Sequence, residues 1–89
     1  MLDREKIMQE NFDPAMIRKI WKKGNVIFDI NPDIIRKDRF GDWIKRDDYG
    51  NPHSIYGWII EDIVPISKGG NNEIENLQPL HWKNRRKFL

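Results

Sequence analysis

Glu61 and Asp62 stand side by side directly after the apolar run Trp58-Ile59-Ile60. Behind them come a double-glycine loop (Ser67-Lys68-Gly69-Gly70-Asn71-Asn72), an Asn76-Leu77 step, a His81-Trp82 pair and the basic residues Lys83, Arg85, Arg86 and Lys87. Carboxylates accept protons and hydrogen bonds and are hard oxygen donors for cations, while clustered Lys and Arg complement phosphate. Such a density of polar chemistry around one apolar segment is that of a site rather than of a plain structural element. The chain has two histidines besides, His53 in an Asn-Pro-His-Ser turn and His81 inside the motif. His53 is expected on the surface, and His81 beside Trp82, hydrogen-bonded to the loop.

The elements that must position these groups follow from pattern. Residues 54–64 contain a strand too apolar for an exposed edge, and residues 43–46 suit another, with the turn material of residues 47–52 between them; the expectation is a β-hairpin with a wide loop. Residues 73–77 suit one helical turn before Pro79, and residues 81–88 a final helix. Upstream, Asp13-Pro14 is a helix start signal, with a capping carboxylate and a proline fitted to the first helical position. Met16, Ile17, Ile20 and Trp21 then recur at helical spacing until Gly24, with Arg18, Lys19, Lys22 and Lys23 on a solvated outer side. Residues 2–10 are helix-compatible, residues 25–30 β-prone, residues 31–33 a turn, and residues 33–38 ambiguous. The four Trp (Trp21, Trp43, Trp58 and Trp82) are expected in the core rather than as base-stacking platforms. Gly69-Gly70 is expected to supply positive φ.

At 89 residues the chain is expected to be one α+β domain, residues 1–89, with a helical N-terminal extension over residues 1–24 and a core over residues 41–88. Sixteen Lys and Arg nearly balance fourteen Asp and Glu, so only the distribution of charge can point to a partner. The absence of cysteine excludes a disulfide frame and a Cys-based zinc knuckle, and suits a cytoplasmic location. No apolar run approaches the roughly 20 residues that span a bilayer, so no membrane role is expected.

The run Trp58-Ile59-Ile60-Glu61-Asp62-Ile63-Val64-Pro65, with Ser67, Gly69-Gly70, Asn76-Leu77, Leu80 and His81-Trp82-Lys83-Asn84, resembles the HNH endonuclease motif. Asp38, Gly41, Ile44, Tyr49-Gly50 and Gly57-Trp58 also look like a group of small bacterial stand-alone HNH proteins. The resemblance covers roughly residues 20–87. It implies a ββα-metal motif, a β-hairpin and C-terminal helix around one divalent ion, and divalent-metal-dependent hydrolysis of DNA phosphodiester bonds. The ion would be Mg²⁺ foremost, with Mn²⁺, Ni²⁺ or Zn²⁺ as alternatives.

By the same resemblance Glu61 occupies a metal-ligand position, Asp62 the general-base position normally held by His, and Asn76 the catalytic Asn that holds the loop or orients the base. The second metal-ligand position falls on Arg85, which as a guanidinium offers charge to phosphate and cannot ligate. Asp62 is a further candidate ligand if the strand bends, and Asn84 if the register slips by one. His81 is an auxiliary candidate, and Lys83, Arg85, Arg86 and Lys87 would contact nucleic acid. A carboxylate is a poorer proton acceptor than imidazole at neutral pH, so catalysis would be impaired. The alternative is a catalytically inactive HNH-fold module that binds nucleic acid, its base lost naturally or by design. DNA is the expected partner; a protein partner or dimer stays open.

Overall fold

A computed structural model describes residues 12–86. Among the described residues are one α-helix, α1 (Pro14–Trp21), and four short strands, β1 (Ile35–Lys37), β2 (Trp43–Lys45), β3 (Trp58–Asp62) and β4 (Leu77–His81). The strands form two antiparallel two-stranded sheets, β1-β2 and β3-β4. The architecture is α+β. The expected helix over residues 2–10 and Lys87 lie outside the described residues.

Helix α1 begins where the sequence signals it: the Asp13 side chain accepts the Met16 amide at 2.8 Å and Pro14 takes the first turn. Its inward face buries Ile20 and Trp21, which join Ile44, Trp58, Ile60 and Leu77 in one core. Trp58 is fully buried and touches two aromatic rings, Trp21 at 5.2 Å and Tyr49 at 4.8 Å between centroids. Burial pushes the Tyr49 phenol well above its ordinary range.

The strand pairing corrects the expected hairpin. Residues 43–46 and 54–64 do not pair with each other as hairpin strands; they meet through the Lys45 N–H on the Tyr56 carbonyl and the Trp58 indole N–H on the Arg46 carbonyl, with an isolated parallel bridge from Tyr49 to Trp58 beside them. β2 pairs instead with β1, in the register Ile35↔Lys45, Arg36↔Ile44 and Lys37↔Trp43. β3 pairs with β4, from Trp58↔His81 to Asp62↔Leu77. The reason is local closure. Asp38 folds the chain back on itself, its Oδ1 accepting the Phe40 and Asp42 amides at 3.0 and 2.9 Å while Gly41 takes φ +86°, so β1 reaches β2 across a very short loop. Residues 25–30 make no strand beyond a bridge from Asn25 to Lys37, and Asp29 sits at φ +64°.

The final helix is the second correction. Residue 81 ends β4, Trp82–Asn84 form a single 3-10 turn, and Arg85 is extended. An α-helix from residue 81 would carry the Arg85 and Arg86 amides back four residues, and both are diverted, while the first-turn amides are taken by groups outside the helix pattern. Trp82 N–H goes to the Gly57 carbonyl, Lys83 N–H to the His81 ring, Arg85 N–H to the Trp82 carbonyl and Arg86 N–H to Glu61.

Two of the four Trp depart from the expected core. Trp43 is 39 % exposed, and Trp82 is half-buried with its indole N–H on the Ser54 carbonyl at 3.0 Å. No helix among the described residues is long and apolar enough to cross a membrane.

Candidate functional site

The site is built on the β3–β4 hairpin and the loop joining its strands. β3 leaves the core through Ile60 and presents Glu61 and Asp62 opposite Gln78 and Leu77, in unbroken register. The bend or bulge that would turn both carboxylates to one ion is therefore absent from this strand pair, and adjacent side chains leave a regular strand in opposite directions. Both residues border a cavity of about 370 Å³ whose other walls include Phe12, Ile66 and Leu77.

Asn76 staples the loop. Its amide pairs with both backbone groups of Val64, just past β3, Oδ1 accepting the Val64 N–H at 2.9 Å and Nδ2 donating to the Val64 carbonyl at 2.9 Å. Nδ2 also donates to the Asn71 carbonyl at 2.7 Å, and the backbone repeats the tie through the Ile63 N–H on the Asn76 carbonyl. Both ends of the amide are thus spent on the loop, which makes Asn76 a loop clamp. Asn76→Ala is expected to destabilise the fold by about 1–2 kcal/mol, read as a lower denaturant midpoint. Asn76→Asp, which keeps the acceptor and loses the donor, should fall between the two.

The two loop glycines serve different ends. Gly69 takes φ +95°, as expected of the pair. Gly70 has no positive φ but lies against the opposite backbone, where a Cβ would stand 1.8 Å from the Val64 carbonyl oxygen. Gly70→Ala must therefore push the loop off β3, at an expected cost of roughly 1–3 kcal/mol by thermal unfolding. Lys23, just past α1, adds a tie that composition alone did not single out. Its ammonium donates to the Ile74 carbonyl and, at 2.8 Å, to the Leu77 carbonyl, on either side of Asn76.

The Glu61 carboxylate is engaged. It accepts the Arg86 backbone N–H at 3.0 and 3.2 Å on its two oxygens, and the Arg86 guanidinium lies 3.7 Å away. Burial pushes the Glu61 carboxyl above its ordinary value, and the Arg86 amide and guanidinium partly offset that shift. Arg86 also donates to the Ile63 carbonyl at 2.6 Å, so it straps the end of β3.

The other candidates are placed apart from this carboxylate. Asn84 turns to the β1-β2 hairpin, its Nδ2 donating to Asp38 at 2.8 Å and Asp42 at 2.6 Å. Lys83 pairs with Asp42 at 2.8 Å. His81, 5 % exposed and stacked near Trp82, has both ring nitrogens in use: Nδ1 accepts the Lys83 N–H at 3.1 Å, so Nε2 carries the proton and donates to the Ile55 carbonyl at 2.7 Å. That tautomer leaves no free nitrogen to replace a base at position 62. His53 is exposed.

Asp38 is the organising residue behind this arrangement. It is 1 % exposed and takes four donors, the Phe40 and Asp42 amides on one oxygen and the His81 amide and Asn84 side chain on the other. Its spacing to Gly41 marks a turn, but nothing local signals that its second oxygen reaches residues more than forty positions away.

Asp42 gives a pH-dependent contact. The hydrogen bonds from Lys83 and then Asn84 hold its carboxyl below the ordinary value of 3.8. A depressed carboxylate contributes stability that is complete above that value and is lost as pH falls through the lowered one. Native protein should therefore lose more melting temperature than Asp42→Asn on acidification below about 3.8, while the two run parallel at neutral pH.

The donor set does not fit a preformed metal centre. Among the described residues no three His, Cys, Asp or Glu side chains gather where they could hold one ion. Two adjacent carboxylates on a regular strand, one of them strapped by Arg86, are what remains. A scan against protein-family models finds no match, and neither the curated proteins nor the solved structures give one.

Proposed function

We propose that this chain is an HNH-type endonuclease domain directed at DNA, with hydrolysis held back by the residues at positions 61, 62 and 85. The observation that supports it most is the β3–loop–β4 hairpin, in which Asn76 clamps a Gly69-Gly70 loop behind an acidic pair. The sequence resemblance calls for a clamped loop of this kind. Beside it, Arg86 brings a guanidinium to Glu61, so phosphate would meet positive charge next to the acidic pair.

The departures bear on chemistry rather than on binding. Asp62 offers a carboxylate where the resemblance expects imidazole, and no nitrogen of His81 is free to take its place. Since the donor set is incomplete, the residues that remain bind and orient. The second reading, a module that binds nucleic acid and does not cut it, is favoured by the Arg86 strap across Glu61.

Binding of a labelled duplex, followed by anisotropy, tests what both readings share. The affinity should fall steeply between about 50 and 200 mM salt, because each phosphate contact releases counterions. Arg86→Glu should weaken it and flatten the salt slope. No binding at low salt, or binding indifferent to salt, would overturn the DNA assignment.

A further inference from the structure

The β1-β2 hairpin has two faces of opposite character. Arg36 and Ile44, cross-strand partners, point inward and are buried. The pairs Ile35↔Lys45 and Lys37↔Trp43 therefore share the outward face, with their Cβ atoms close across the strands. Trp43 is 39 % exposed, and Phe40, in the hairpin turn, is 62 % exposed with the Arg39 guanidinium 5.3 Å from its ring centroid. Here the expectation that all four Trp are core fails.

The charge on this hairpin is one-sided as well. Its two acidic residues are spent internally, Asp38 on four donors and Asp42 on Lys83 and Asn84. The charges that remain beside the two aromatics are those of Lys37, Arg39 and Lys45, all positive. Flat aromatic surface interleaved with cations, with the neighbouring Asp42 carboxylate paired to Lys83, suits a polyanion that carries planar groups.

We propose that the outward face of the β1-β2 hairpin binds single-stranded nucleic acid, with unpaired bases stacking on Trp43 and Phe40 and phosphates meeting Lys37, Arg39 and Lys45. The choice of partner rests on the DNA-directed reading. Unpaired strands are the match because a duplex hides its base faces and would leave both aromatics unused. The face is also tied to the candidate site: Asp38 and Asp42 hold Asn84, two residues before the amide that binds Glu61. A strand engaged at the hairpin is thereby kept near the acidic pair.

The test is binding of a labelled single strand, and of its duplex, to the full chain in EDTA, which removes hydrolysis from the readout. Native protein should prefer the single strand. Trp43→Ala should weaken it about tenfold and Trp43→Phe much less, since base–aromatic stacking tolerates exchange of one ring for another. Phe40→Ala should act in the same direction, and Lys45→Gln should lower the salt slope by about 0.7. Unchanged melting temperatures would show that each variant folds.

The proposal is overturned if folded Trp43→Ala and Phe40→Ala both bind the single strand as native protein does. It is also overturned if the duplex is preferred, or if anionic phosphatidylglycerol vesicles and not the single strand are bound through Trp43. A protein that nicks plasmid DNA yet ignores single strands would refute the hairpin proposal alone. Single-strand binding through Trp43, with no variant able to nick, would refute the hydrolytic reading alone.

Discussion

Asp62→His should convert slow or undetectable nicking of supercoiled plasmid into nicking faster by about 10² or more. A positioned general base contributes roughly 10²–10⁴ in rate, equivalent to about 3–5 kcal/mol of barrier. The imidazole would stand at the end of β3 beside the cavity that Asp62 already borders, and the loop behind it is held by Asn76 without help from position 62. The substitution should therefore leave the fold intact. The lower end of the range is expected, because Arg85 and the Arg86 strap remain in place. Equal nicking by the native protein and the variant would show that position 62 is not what limits hydrolysis.

Asp38→Ala should be the most damaging single change away from the core aromatics. The carboxylate is buried and takes four donors, so its loss strands the His81 amide, takes the side-chain acceptor from the Phe40 and Asp42 amides, leaves Asn84 with Asp42 alone and opens the turn between β1 and β2. Leaving a buried donor unsatisfied costs about 1–3 kcal/mol, and more than one is left here, so a total loss of about 3 kcal/mol or more is expected. For a domain of this size that lowers the melting temperature by more than about 12 °C. Asp38→Asn, which keeps one acceptor, should lose about half as much. Differential scanning calorimetry of the three proteins checks the order, and a melting temperature for Asp38→Ala within a few degrees of native would contradict the role given to Asp38.

The parts of the fold that sequence made legible are those set by local chemistry. Asp13-Pro14 marked the start of α1, and the apolar run through Ile60 marked β3, since caps and periodicity act over a few residues. The helical turn before Leu77 was legible for the same reason. Strand partners were not. Residues 43–46 and 54–64 both read as strands, but which edge each would use was decided by Asp38, whose turn closes β1 on β2, and by Asn76, whose amide closes the loop between β3 and β4.

The final helix was misread for a related reason. Residues 81–86 are compatible with a helix, yet their amides find partners on Gly57, the His81 ring and Glu61 that lie far off in sequence or outside the backbone. At the candidate site the acidic pair and the clamped loop were legible as residue types at a spacing. The Arg86 strap on Glu61, the capture of Asn84 by Asp38 and Asp42, and the exposure of Trp43 were not, because each depends on how two distant segments meet.

The Arg86 strap bears on phosphate and on metal alike. A guanidinium and an amide on Glu61 favour phosphate nearby and disfavour a cation there, so the contact that would assist the proposed DNA binding would also oppose completion of an ion site. Arg85, extended and just ahead of it, carries a side chain that stays protonated and cannot donate an electron pair. Restoring a neutral donor at position 85 together with an imidazole at position 62 should therefore remove two of the three obstacles and leave the Arg86 strap.

Nicking of supercoiled plasmid by the Asp62→His/Arg85→Asn double variant tests the central claim most directly. Nicking with Mg²⁺ or Mn²⁺ that EDTA abolishes is expected, faster than that of Asp62→His alone. A double variant that folds and binds the plasmid but leaves it supercoiled in every divalent ion would contradict the claim that this frame is that of a nuclease.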